Sequence, residues 1–359
     1  MAWGRMPRVT LEFEKAFAKL EEQISAMEED QRRRGVDLGA EIRDMRKNLV
    51  AMVRKKYAAL TPWEIVQVAR HPDRPQTADY LGAFVKEFRE IHGDRFFRDD
   101  KAIVCGFGRM AGEKVMIVGH AKGRNTREKV ACFFGCAHPE GYRKALRAMR
   151  LAEKFSLPIV TFIDTQGAYP GIGAEERGVA ESIAVNLREM SLLRVPIVGA
   201  IIGEGASGGY LGIGVADCLL MLQYAYCSVI TPEGCAAILW RTAEKAEEAA
   251  AALRLTAEDL KKFGVIDDIV PEPLGAAHRN PREMATTLER RIGRHLRELR
   301  QLSIDDLLAR RYEKLRRVGV TVEAMVEPPS ANGGPAAADV SRHRYNSEGT
   351  ENTEREGEI

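Results

Sequence analysis

Two consecutive stretches of this sequence repeat one pattern, and that pattern constrains the fold more than any other feature. Each has an apolar, β-branched run, then a glycine-rich turn, then a helix-forming segment. The first occupies residues 158–165, 166–173 and 174–188, the second 195–202, 203–208 and 209–215. Strands that alternate with helices pack as a largely parallel sheet with right-handed crossovers, so the expected fold class is α/β. Further strands are predicted at 218–222 and 227–230, and residues 102–108 and 115–120 read as a β-hairpin.

Before this body, Phe13, Phe17, Leu20, Ile24 and Met27, then Leu38, Ile42, Met45, Leu49 and Met52, follow 4,3,4,3 spacing on either side of Gly35. That periodicity predicts a helical hairpin with one apolar stripe per helix, buried either on its own domain or on a partner subunit. Proline-punctuated residues 60–75 join it to the body. Residues 326–359 are polar with almost no large apolar side chain, which predicts a disordered tail. The expected division is therefore a helical arm over 1–60, a main domain over 61–325 and the tail over 326–359. No apolar run is long enough to span a bilayer, and the first residues turn charged before any signal-type core, so the default expectation is a cytoplasmic protein without a membrane partner. With 54 Lys and Arg against 52 Asp and Glu, no global field points to nucleic acid. The six scattered cysteines read as reduced thiols.

The turn Gly203-Glu-Gly-Ala-Ser-Gly-Gly209 formally fits a dinucleotide fingerprint. A nicotinamide site also wants an acidic residue at the end of the next strand, where Gln223 and Tyr224 stand instead, and no Lys-Ser/Thr pair follows to make a P-loop. What remains is a turn with Gly208 and Gly209 near a helix N-terminus, where free N–H groups and the helix dipole favour negative charge. With no nucleophile, lysine or metal ligand in the turn, its natural ligand is a developing oxyanion; the plainer alternative is tight strand-to-helix packing.

The other turn, residues 164–173, lies at the carboxyl end of a parallel strand, where open α/β sheets place ligands. Asp164 reads as a base or a structural cap, and Glu175 and Glu176 as charges complementing a helix N-terminus. Cys132, Cys136 and His138, with His120, form a conceivable metal set of uncommon spacing. His120, Lys122, Arg124, Arg127 and Lys129 form either an anion-binding loop or a solvated basic face.

Several longer motifs in fixed order carry a resemblance. They include Arg70-His-Pro-Asp-Arg-Pro75, Gly119-His-Ala-Lys-Gly-Arg124, His138-Pro-Glu-Gly-Tyr-Arg-Lys-Ala-Leu146, Gly167-Ala-Tyr-Pro-Gly171, Gly173-Ala-Glu-Glu-Arg-Gly178, Asn186-Leu-Arg-Glu-Met-Ser191 and Pro271-Glu-Pro-Leu-Gly275. From about Phe13 to Tyr312 the chain resembles the alpha-type carboxyltransferase subunits of bacterial acetyl-CoA carboxylase, members of the crotonase superfamily. The resemblance implies a crotonase-like spiral and transfer of a carboxyl group from carboxybiotin to acetyl-CoA, giving malonyl-CoA for fatty-acid synthesis; other acyl-CoA substrates and a non-catalytic role are its alternatives. It implies a beta subunit in an alpha2beta2 assembly, a biotin carboxyl carrier protein, and a biotin carboxylase where the holoenzyme uses ATP. No metal is implied in this chain. It assigns Gly208 and Gly209 as backbone oxyanion donors, and Gly167, Ala168, Tyr169, Gly205, Ala206, Ser207 and Tyr210 as the surroundings of the carboxybiotin. Four departures from the family pattern stand out: Gln166 for proline, Ala206 for glycine, Tyr210 for alanine, and Cys136-Ala137 for Met-Pro.

Overall fold

The structure is a computed structural model that describes residues 9–35 and 37–319; the expected tail at 326–359 lies outside them. Its centre is an eight-stranded sheet of β1 (Lys86–Glu90), β2 (Ile103–Met110), β3 (Glu113–His120), β4 (Ile159–Thr165), β5 (Ile197–Ala206), β6 (Cys218–Leu222), β7 (Tyr226–Ser228) and β8 (Asp268–Val270). The order is β1-β2-β3-β4-β5-β6-β8, with β7 pairing the far end of β5. Strand β2 pairs antiparallel with both β1 and β3, and every pairing beyond β3 is parallel. All seven residues of β4 and all ten of β5 are buried, as strands covered on both faces must be.

Three expectations change in detail. The first unit's helix is two helices, Ile172–Glu176 and Val179–Leu192, because Gly178 between them is left-handed (φ +74°). In the second unit the strand runs through Gly203 and Gly205 to Ala206, and the helix starts at Ser207 rather than Gly209. The strand expected at 227–230 is only Tyr226–Ser228, and β1 and β8 carry too little apolar pattern to be read from sequence.

Helix Pro139–Lys154 packs on β2 and β3 and against helix Val179–Leu192. The buried Asn186 amide ties these helices to the site: its Nδ2 donates to the carbonyls of Tyr142 (3.0 Å) and Gly212 (2.8 Å). The described chain ends in helix Ile304–Arg317, whose Arg311 is almost wholly buried. Its guanidinium donates to both oxygens of Asp217 (2.7 Å each) and to the carbonyls of Met190, Leu193 and Val195 (2.8–2.9 Å). That arrangement satisfies all of the fork's donors, the condition for burying a guanidinium cheaply.

The N-terminal hairpin is helices Lys15–Arg34 and Gly39–Tyr57, the first ending on left-handed Gly35 (φ +68°). Phe17, Ile24, Ile42, Leu49, Val53 and Tyr57 bury the facing stripes together with Val68, Tyr224 and Ala276 of the body. The stripe is thus covered, at least at its base, by the chain itself.

Candidate functional site

The end of β5 turns into the helix Ser207–Gly214 through a single left-handed residue, Ser207 (φ +58°). A non-glycine residue in that region stores on the order of 1–3 kcal/mol and persists only where its surroundings over-determine it. The helix has no side-chain cap at Ala206, so its first-turn N–H groups, those of Gly208 and Gly209 among them, have no intrahelical acceptor. Gly209 presses on the first unit's turn: a Cβ there would come within 2.7 Å of the Gly167 carbonyl oxygen and 2.8 Å of the Ala168 nitrogen. Gly208 meets only the mobile tip of Ile183, at 3.2 Å. The two glycine turns, 40 residues apart in sequence, therefore form one wall.

Gly167, Ala168 and Tyr169 are held in place from the other side. The Thr165 hydroxyl lies between the carbonyls of Gly135 (2.7 Å) and Gly167 (2.8 Å). The Tyr169 amide donates to Ala137 (3.0 Å), and its ring stacks on His138 (4.1 Å between centroids) with Phe133 at its edge (5.3 Å). Gly205 and Ala206 are buried within β5 and Tyr210 is half-buried. An apolar cavity of about 370 Å³, bounded by Ser207, Gly208, Tyr210, Leu211, Cys227 and Val229, opens beside the helix N-terminus.

Behind the turn sits a charged cluster. Glu204, 1% exposed, accepts from Lys122 Nζ (2.5 Å), Arg70 Nε (2.7 Å) and the Tyr226 hydroxyl (2.6 Å). Lys122 also pairs with Asp164 (2.7 Å), whose Oδ1 accepts the Glu204 amide (3.0 Å). Arg70 reaches on to Glu233 (2.5 Å) and Tyr226 (2.9 Å). Burial pushes the Glu204 carboxyl up, but Lys122 and Arg70 outweigh it and hold the group down at about 2. Burial likewise disfavours charge on Lys122, yet Asp164 and Glu204 keep its ammonium above the ordinary lysine range. A polar cavity of about 180 Å³ borders Arg70, Lys122, Lys129, Asp164, Gln166 and Glu204.

These contacts revise the reading of the basic loop. Lys122 is held by two carboxylates, Asp164 and Glu204, and its side chain still borders the polar cavity. Arg124 pairs with Asp79 and donates to the Arg74 carbonyl (3.3 Å). Asp164 is an ion-paired structural acceptor. His120 is buried; desolvation and the neighbouring Lys122 push its imidazole down to about 3, so it is neutral. The suggested set of Cys132, Cys136, His138 and His120 does not converge. Among the described residues the one group of three metal-type ligands within reach of one another is Glu14, His71 and His278. There the two imidazoles stack face to face (3.9 Å, 12°), and a metal must lie in the plane of each ring it binds. Glu14 is moreover engaged by Tyr57 (2.7 Å) and Arg279 (3.3 Å), so this group clasps the hairpin to the body. Sequence reasoning gave no role to Glu204, Arg70 or Tyr226. The available signal was a lone carboxylate inside an otherwise uncharged strand, which burial obliges to find cationic partners.

Residues 10–319 match the family described as acetyl co-enzyme A carboxylase carboxyltransferase-like. The chain is 52% identical over 313 residues to the acetyl-coenzyme A carboxylase carboxyl transferase subunit alpha of Rhodopirellula baltica, covering 87% of this chain and 98% of that one. It is also 52% identical over 314 residues to the subunit of the same name from Burkholderia mallei, covering 88% and 97%. Among solved structures, the beta subunit of P. aeruginosa geranyl-CoA carboxylase shares the fold with a TM-score of 0.50 and 17% identity, over 70% of this chain and 45% of that one. The α/β architecture is that of the crotonase-fold carboxyltransferases, and the extent of the sequence match shows that this chain belongs to the acetyl co-enzyme A carboxylase carboxyltransferase-like family.

Proposed function

We propose that this chain is the alpha half of an acetyl-CoA carboxylase carboxyltransferase, working in the cytoplasm with a beta subunit, a biotin carboxyl carrier protein and a biotin carboxylase. Carboxybiotin on the carrier supplies the carboxyl group, and acetyl-CoA receives it to become malonyl-CoA. The observation that carries the reading is the uncapped helix N-terminus at Ser207, set beside an apolar cavity. A donor set of backbone N–H groups fits a reaction in which negative charge develops on a ligand oxygen and no covalent bond to the protein is needed.

In this reading the N–H groups of Gly208 and Gly209 donate to that oxygen. Gly167, Ala168, Tyr169, Gly205, Ala206, Ser207 and Tyr210 shape the space around the carboxybiotin, and the large Tyr210 ring narrows the cavity that it lines. A ligand seated on the apolar lining displaces water from it, which strengthens each hydrogen bond to the developing charge.

Reconstitution with a beta-type partner tests this. The assembled complex is expected to decarboxylate malonyl-CoA in a biotin-dependent manner, and an assembled but inactive complex overturns the reading. Gly208→Val, at a position where an added Cβ meets only the tip of Ile183, is expected to lower turnover at least ~10²-fold with assembly intact.

A further inference from the structure

We propose that Glu204, clamped by Lys122, Arg70 and Tyr226, is a positioning residue that fixes the Ser207 kink and so aims the N–H groups of Gly208 and Gly209; the inference rests on the oxyanion reading of that turn. Glu204 lies three residues before Ser207 on the same buried strand. It is paired in register with Tyr226 of β7, the short strand that joins β5 only at this end. Three donors at 2.5–2.7 Å hold its carboxylate, and its own amide is held by Asp164 from β4.

The cluster therefore fastens four separate segments, 70, 122, 164 and 226, to one point directly behind the kink. In front, the Gly167 turn presses against Gly209. The backbone is thus held on both sides of Ser207, at Glu204 and at Gly209, while its side chain stays exposed; that is the over-determination its left-handed conformation requires. An oxyanion site depends on its donors being placed before charge develops, and a displacement of about 1 Å can cost ~10²-fold in rate.

An account based on charge alone makes the opposite forecast from an account based on position. Counting Arg70 and Lys122 against Asp164, Glu204 and Glu233, the cluster carries one net negative charge (2 − 3 = −1). Neutralising Glu204 would then relieve repulsion of an anion at the turn and quicken turnover. Positioning requires the reverse.

The experiment uses the complex with a beta-type partner and malonyl-CoA decarboxylation as readout. Glu204→Gln is nearly isosteric, and Tyr226→Phe removes one hydroxyl and keeps the ring. Both are expected to lower kcat at unchanged KM, by at least ~10-fold for Glu204→Gln and a few-fold for Tyr226→Phe, measured well below the unfolding transition of either variant. Unchanged or faster kcat in Glu204→Gln overturns the proposal, as does a loss of activity in either variant that only follows a fall in Tm or a rise in KM. If Gly208→Val abolishes turnover while both variants keep full kcat, the positioning role fails and the oxyanion reading stands. If Gly208→Val itself is fully active, the oxyanion reading fails first.

Discussion

The two strand–turn–helix units begin alike and finish differently. In the first, β4 opens into a glycine turn, and the helix that follows is interrupted at Gly178 before it resumes. In the second, β5 runs straight through its glycines and reverses at Ser207 alone, with charge packed behind it and the first unit's backbone in front. The same local pattern thus ends in an interrupted helix in one unit and in a single left-handed residue backed by ion pairs in the other. Tertiary context, rather than glycine content, sets how each turn ends.

Three measurements would break or sharpen this contrast. The largest effect belongs to Gly209→Val, whose side chain would press on the Gly167–Ala168 backbone; turnover is expected to vanish and stability to fall by ~2–3 kcal/mol in denaturant unfolding. A variant with parental stability would show that the two turns are not locked together.

The second is acid unfolding. Glu204 sits at about 2 in the folded chain against an ordinary value of 4.5, so its stabilisation is complete above pH ~4.5 and drains away as pH falls toward 2. Glu14 is held down at about 2 as well and adds to the same limb, its burial opposed by His278, Tyr57 and Arg279. Calorimetry between pH 5 and pH 2 is expected to show a steep fall in Tm that is shallower in Glu204→Gln. Equal slopes would mean that the cluster does not carry this linkage.

The smallest effect is that of Gly178→Ala. Its Cβ meets nothing closer than Glu181 Cβ at 3.7 Å, so the cost is backbone strain alone, ~1 kcal/mol with turnover retained. A loss of activity would show that the first unit is as tightly constrained as the second.

The units themselves were legible because buried strands must be apolar and the turns between them rich in glycine. The break at Gly178 had a visible cue, a glycine inside a helical pattern, but only the left-handed backbone explains why the helix stops there. Ser207 as the helix start was hidden because a serine beside glycines reads as part of the turn. The ion pairs of Lys122 were hidden for a different reason: its partners lie 42 and 82 residues away, and a cation in a basic loop looks solvated until the fold brings Asp164 and Glu204 to it. Glycine spacing carried the site's backbone, and the sequence pattern held no comparable trace of the ion pairs that brace it.

Arg311 has a consequence for synthesis. It lies almost at the end of the described chain, yet its guanidinium closes Asp217 and three carbonyls at the base of the sheet. A chain cut short of residue 311 loses that counter-charge and the helix that carries it together, so the base of the sheet stays open until this helix has been made. The last described helix therefore ties the completion of the sheet to residues almost a hundred positions downstream of Asp217.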